Sequence, residues 1–120
     1  MAVRGIRGAI RLPEDSLVVM TECVVELVSE LLERNGLSTD ELISIVFTAT
    51  PDLRSAFPAA AARTLNLGEV PLLCAVEIDV VGALDRVVRV LVHADTTLAR
   101  ADVTHVYLRG AEVLRQDLAQ

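Results

Sequence analysis

The sequence predicts an α+β fold, a mixed β-sheet packed against one long and one short helix. Three observations carry this prediction: a single long helical stripe, several β-branched runs punctuated by Gly or Pro, and the chain order β-α-β-α-β-β-β that results. Val3 to Ile10 reads as the first strand, where Gly5 and Gly8 bracket Ile6 and Arg7 and permit a bulge or close backbone approach that presents Arg7. Pro13, Glu14, Asp15 and Ser16 open the long helix with acidic residues at its positive end. Leu17, Met20, Val24, Leu27, Val28 and Leu31 trace its apolar stripe, Glu22, Glu26, Ser29, Glu30 and Glu33 form a solvated opposite face, and Asn35-Gly36 stops it. Ser38 to Glu41 matches a capping box for one helical turn, and Ile43 to Thr50 reads as a buried strand ended by Pro51-Asp52. Phe57-Pro58 introduces a short helix from Ala59 to Leu65, with Pro at the first helical position. Strands are expected at about Val70 to Ile78, Arg86 to Ala94 and Val103 to Leu108, and a last short one from Ala111 to Leu114. The long helix covers one sheet face; the strands are too apolar to leave the other in water, so partner subunits are its natural cover.

The 120 residues suit one domain, 1–120, large enough for a core and too small for two. Hydrophobic residues reach 52% while aromatics are 2% with no Trp, so the core is built of Val, Leu, Ile and Ala and is thin, which favours a homo-oligomer. A net charge of −6 argues against nucleic acid as a partner. All 11 basic residues are Arg, a bias that GC-rich codon usage explains for most of them; the arginines in apolar or turn contexts are the informative ones. Cys23 and Cys74 lack metal-ligand spacing and make a disulfide framework improbable. The N-terminus has no long apolar region and no stretch reaches the roughly 18 apolar residues of a span, so a soluble, cytoplasmic protein with no membrane partner is expected.

Arg89 lies inside Val87-Val88-Arg89-Val90-Leu91-Val92, and Glu77 interrupts Leu72-Leu73-Cys74-Ala75-Val76-Glu77-Ile78 in the same way. Desolvating either charge alone is costly. A strand with one wet face explains each singly; two such strands of opposite charge, with further arginines, point towards a polar pocket for an anion. His93 and His105 sit in strand-like contexts without a nucleophile elbow and are read as structural or exposed. Zinc spacing, Walker glycines and a dinucleotide fingerprint are missing, so neither metal nor cofactor is expected. What remains is Arg7, Arg63, Arg89 and Arg115 with Glu77, Cys74 and Tyr107, a set that suits a small dianion carrying a hydroxyl. Individually, Arg63 is equally a helix surface charge, Arg115 a tail residue, Tyr107 a core ring with a wet hydroxyl and Cys74 a small core hydrophobe.

Arg4-Gly5-Ile6-Arg7-Gly8-Ala9, Thr48-Ala49-Thr50-Pro51-Asp52-Leu53, Phe57-Pro58-Ala59 and His105-Val106-Tyr107-Leu108 resemble the small monofunctional bacterial chorismate mutases, and the likeness runs almost end to end. The resemblance implies a homotrimer with a pseudo-α/β-barrel core, three sites between adjacent subunits, and conversion of chorismate to prephenate without metal or cofactor. It further implies that Arg89 donates to the ether oxygen, that an ionised Glu77 accepts from the ring hydroxyl with support from Cys74, and that Arg7 and Tyr107 hold the enolpyruvyl carboxylate. Phe57, Ala59, Leu73 and Leu114 would wall the pocket, and Arg63 and Arg115 guard its mouth. Ala60 stands where many relatives carry Lys and Leu73 where Thr is common, departures that bear on affinity. Cys74 and Glu77 are three apart, so strand alternation puts them on opposite faces unless a bulge or backbone contact intervenes. An imine or enamine deaminase of similar fold and a small-molecule sensor module are the competing classes; neither should consume chorismate.

Overall fold

The computed structural model describes residues 1–118, with side chains described through Leu114. Five strands form one mixed sheet: β1 (Ala2–Arg11), β2 (Leu42–Ala49), β3 (Leu72–Val76), β4 (Val87–Thr96) and β5 (Val106–Leu108), in the spatial order β3-β2-β4-β1-β5. The β1/β4 and β2/β4 pairs are antiparallel, while β1/β5 and β2/β3 are parallel. The helices are α1 (Leu17–Arg34) and α2 (Pro58–Ala62).

Alternation along the strands separates the two sheet faces. Ile6, Ile10, Ile45, Phe47, Val88, Val90 and Val92 share one face and are buried with Met20, Cys23, Val24, Leu27, Val28 and Leu31 of α1. Burying each such side chain contributes about 1.5–3 kcal/mol, which makes this helix-on-sheet layer the main source of stability. Leu17, expected on the stripe, is exposed, and Cys23 takes a buried place instead.

The caps follow the sequence closely. Ser16 Oγ accepts from the Val19 N–H at 3.1 Å, and α1 ends in a Schellman arrangement in which Gly36 N–H reaches Glu33 O and Leu37 N–H reaches Leu32 O, with Gly36 at φ +61°. Asp15 does not serve the helix end. Its carboxylate accepts the backbone N–H groups of Arg54 and Ser55 at 3.0 and 3.1 Å, which hold it below the usual carboxylate range, Arg54 foremost, and tie down the loop leading to Phe57.

Gly8 is required by packing. A Cβ there would lie 3.0 Å from Val90 Cγ1, 3.1 Å from Leu27 Cδ1 and 3.1 Å from the Val106 carbonyl oxygen, and that last atom is main chain that cannot step aside. Gly8→Ala is therefore expected to destabilise the protein by about 1–3 kcal/mol, read as a lower urea midpoint; an unchanged midpoint would show that β1 and β5 can separate freely.

Some boundaries move. β3 is shorter than expected, though its parallel ladder continues through Ile45 N–H to Pro71 O and Glu77 N–H to Ala49 O. The short helix stops at Ala62, and β5 begins only at Val106. The expected strand from Ala111 to Leu114 is instead part of a 3₁₀ helix, Ala111–Leu118, entered through Arg109 and Gly110 at positive φ. Among the described residues no helix is long and apolar enough to cross a membrane.

Candidate active site

The sheet face opposite α1 is the more open one: among the described residues Ala111, Leu84 and Leu114 cover Ala9 and Val87 at one end, while Leu73 and Leu91 are exposed. Strand parity puts Arg7 beside Leu91, and Ala9 beside both Arg89 and Tyr107, all on this open face. Thr48 pairs with Arg89 from the other side, so one row across the sheet reads Ala75, Thr48, Arg89, Ala9, Tyr107. Arg89 is thus presented because a ten-residue strand with a fixed two-residue period leaves every odd position facing away from the helices.

Glu77, just past the end of β3, reaches back over this row. Its Oε2 accepts from Arg89 Nε at 3.1 Å and from the Thr48 hydroxyl at 3.1 Å, while Oε1 also lies 3.1 Å from Arg89 Nε. The Arg89 side chain is 45% exposed and that of Glu77 16%. So open an ion pair stabilises a fold by at most about 1 kcal/mol, too little to explain a charge in a β-branched strand on stability grounds. What it does is aim: Glu77 holds the Nε edge of the guanidinium, and Nη1 and Nη2 have no protein partner among the described residues.

Arg7, Arg89 and Tyr107 line one groove of about 270 Å³ with Gly8, Val46, Thr48, Val90 and Leu91. The half-buried Arg7 guanidinium has no side-chain partner among the described residues. Tyr107 packs on Ala9 and Val87 with Leu84 and Leu114. Two cationic forks and a phenol thus share this groove, and the Glu77 carboxylate bonded to Arg89 lines the adjoining hollow with Thr48, an arrangement suited to an organic anion with a hydroxyl. Thr48 is a member that sequence reasoning missed, because only the β2/β4 register places it opposite Arg89.

The remaining candidates lie elsewhere on the chain. Cys74 shares the helix-side face with Phe47, and its Sγ accepts the Ala59 N–H at 3.2 Å. No bulge reconciles it with Glu77; the two stand on opposite faces, as alternation alone requires. Cys74, Phe57 and Pro58 line a separate hollow of about 370 Å³ at the β3 edge, where Phe57 is 73% exposed. Ala59 is buried in α2, Arg63 caps its end in solvent, and Leu73 projects from β3 on the open face, two strands from Leu91. The Arg115 side chain lies outside the described residues. The candidates thus fall into two groups, Arg7, Glu77, Arg89 and Tyr107 on the open face and Phe57, Arg63, Leu73 and Cys74 on or around β3 and α2. No cluster of three or more His, Cys, Asp or Glu placed to hold a metal occurs among the described residues.

The family model for chorismate mutase type I matches residues 3–118. The chain belongs to the type I chorismate mutases. It is 50% identical over 117 residues to the chorismate mutase AroH of Thermus thermophilus, spanning 97% of this chain and 96% of that one. To the chorismate mutase AroH of Bacillus subtilis strain 168 it is 35% identical over 120 residues, spanning 99% and 94%. A solved chorismate mutase from Clostridium thermocellum superposes with a TM-score of 0.90 at 42% identity, covering 92% of this chain and 98% of that one. The rearrangement that a chorismate mutase catalyses is unimolecular and calls for neither a nucleophile nor a proton relay.

Proposed function

We propose that this chain converts chorismate to prephenate in the cytoplasm as a homotrimer whose sites are completed between adjacent subunits, without metal or cofactor. The observation that carries this is the Arg89–Glu77 pair, with open guanidinium donors beside an uncommitted Arg7 and Tyr107. In the reaction the ether C–O bond breaks as the enolpyruvyl methylene bonds to the ring, so electrons move in one cycle and every atom stays in the molecule. Negative charge grows on the ether oxygen while the ring becomes more positive. Arg89 donates to that oxygen, and Glu77, fixed by Thr48, accepts from the ring hydroxyl and offsets the ring's charge. Arg7 and Tyr107 hold the enolpyruvyl carboxylate and thereby keep the substrate folded. Positioning of this kind can contribute several kcal/mol, though less than the roughly 7–11 kcal/mol attainable when two molecules are brought together.

Completion by a second copy follows from what one chain leaves uncovered. Leu73, Val76, Ile78, Val80 and Val81 are exposed apolar side chains on and just past edge strand β3, which water does not favour and a neighbouring open sheet face would cover. Docking that edge over the neighbour's open face would bring Phe57, Arg63, Leu73 and Cys74 to Arg7, Arg89 and Tyr107, with Leu114 and Arg115 closing the wall and mouth. Purified protein mixed with chorismate should remove the diene absorbance, yield a product that acid converts to phenylpyruvate, and run at three times the chain mass in solution. Undiminished diene absorbance at micromolar enzyme would refute the activity; a monomer that turns over at full rate would refute the shared sites.

A further inference from the structure

His105 is not among the residues assigned a role above, yet it makes one of the best-defined contacts at the site: its Nδ1 accepts the backbone N–H of Arg7 at 2.9 Å. Because Nδ1 accepts, a neutral ring carries its proton on Nε2. The contact lies at the end of the β1/β5 ladder. β5 pairs with β1 only from Gly8 to Ile10, so Arg7 is the first residue beyond the parallel ladder, and the imidazole stands in for the strand that has ended. The ring is itself held from behind. Asn35, buried at the end of α1, donates from Nδ2 to the Thr104 carbonyl at 2.9 Å and accepts the Thr104 N–H on Oδ1 at 2.8 Å, gripping the residue before His105 as a strand neighbour would. A chain of contacts thus runs from the α1 terminus through Thr104 and His105 to the base of Arg7.

We propose that His105 is a positioning residue for chorismate binding, fixing the main chain under Arg7 so that its guanidinium meets the substrate carboxylate. It rests on the assignment of Arg7 to that carboxylate. Since the Arg7 side chain has no partner among the described residues, its aim depends on its backbone: β4 holds one side and His105 the other. A group that binds substrate and transition state alike governs KM more than kcat, so loss of its support should appear chiefly in KM.

Asn and Gln separate this role from a merely polar or space-filling one. Asn Oδ1 occupies the place of Nδ1, one bond from Cγ, whereas Gln carries its acceptor a carbon further out. His105→Asn should keep KM within about threefold of wild type, while His105→Gln should raise it about tenfold or more with a smaller change in kcat. In an Arg7→Ala background the Asn and Gln variants should be indistinguishable, and in a Tyr107→Phe background the Gln effect should persist in full. Equal KM values for the Asn and Gln variants, or a Gln effect that survives Arg7→Ala, would overturn the proposal while leaving Arg7 in place. If Arg7→Ala alone leaves KM unchanged, the assignment of Arg7 fails first, and the proposal with it. Should the Gln variant not fold, the Asn variant still decides, because a tenfold rise in its KM contradicts the role.

Discussion

Arg89→Lys is expected to lower kcat by at least about 10²- to 10³-fold, roughly 3–4 kcal/mol of transition-state stabilisation, with little change in thermal stability. In the proposed mechanism the guanidinium has two tasks at once. Its Nε edge is committed to Glu77 and its Nη groups remain open for the ether oxygen. An ammonium is a compact charge without that rigid fork, so a lysine drawn to Glu77 cannot also present a donor at the reacting oxygen. The fold should tolerate the change, since the pair is half-exposed and contributes at most about 1 kcal/mol. Steady-state kinetics with the melting curve checks both parts; a folded variant with near-normal kcat would remove Arg89 from the reaction.

The second large effect is expected at the apolar edge. Ile78 is 86% exposed and Val81 is fully exposed, so neither supports its own chain, and Ile78→Asp/Val81→Asp should fold as the parent does. If these side chains are buried against a neighbour, two unpaired carboxylates there cost several kcal/mol of assembly, enough to shift subunit dissociation by about a thousandfold or more. The variant should be monomeric and essentially inactive at nanomolar concentration, with specific activity rising steeply as protein concentration increases. Full specific activity independent of concentration would mean that the edge faces solvent in the working enzyme.

Much of this architecture was legible in the order of residues, for identifiable reasons. The stripe of α1 repeats over five turns, and Ser16 and Gly36 stand where helix ends require them, so that element emerged almost to the residue. Arg89 and Glu77 stood out because a charge within a β-branched run conflicts with its surroundings, and such conflicts mark functional positions. Alternation already implied that Cys74 and Glu77 part company, and the structure obeys it. The last segment misled because Ala-Glu-Val-Leu fits two periods: Ala111 and Leu114 alternate poorly but lie three apart, and it is the three-residue period that packs Leu114 against the cluster formed by Ala111 and Tyr107. The contacts of Thr48 and His105 were invisible because each depends on register, Thr48 opposite Arg89 and His105 at the end of a ladder whose start no local pattern specifies.

The division of the site between two half-sites is the claim on which the mechanism depends, and mixed assembly tests it most directly. Arg89→Lys disables the sheet-centre half, and Arg63→Asp, a charge reversal at an exposed position that repels a dianion, disables the edge half. Each variant alone should be nearly inactive. Unfolded together in equal amounts and refolded, they should recover about a quarter of wild-type turnover, the chance that a randomly assembled site draws both halves intact. Recovery no greater than the sum of the separate variants would mean that one subunit supplies both halves, and the shared site would have to be abandoned.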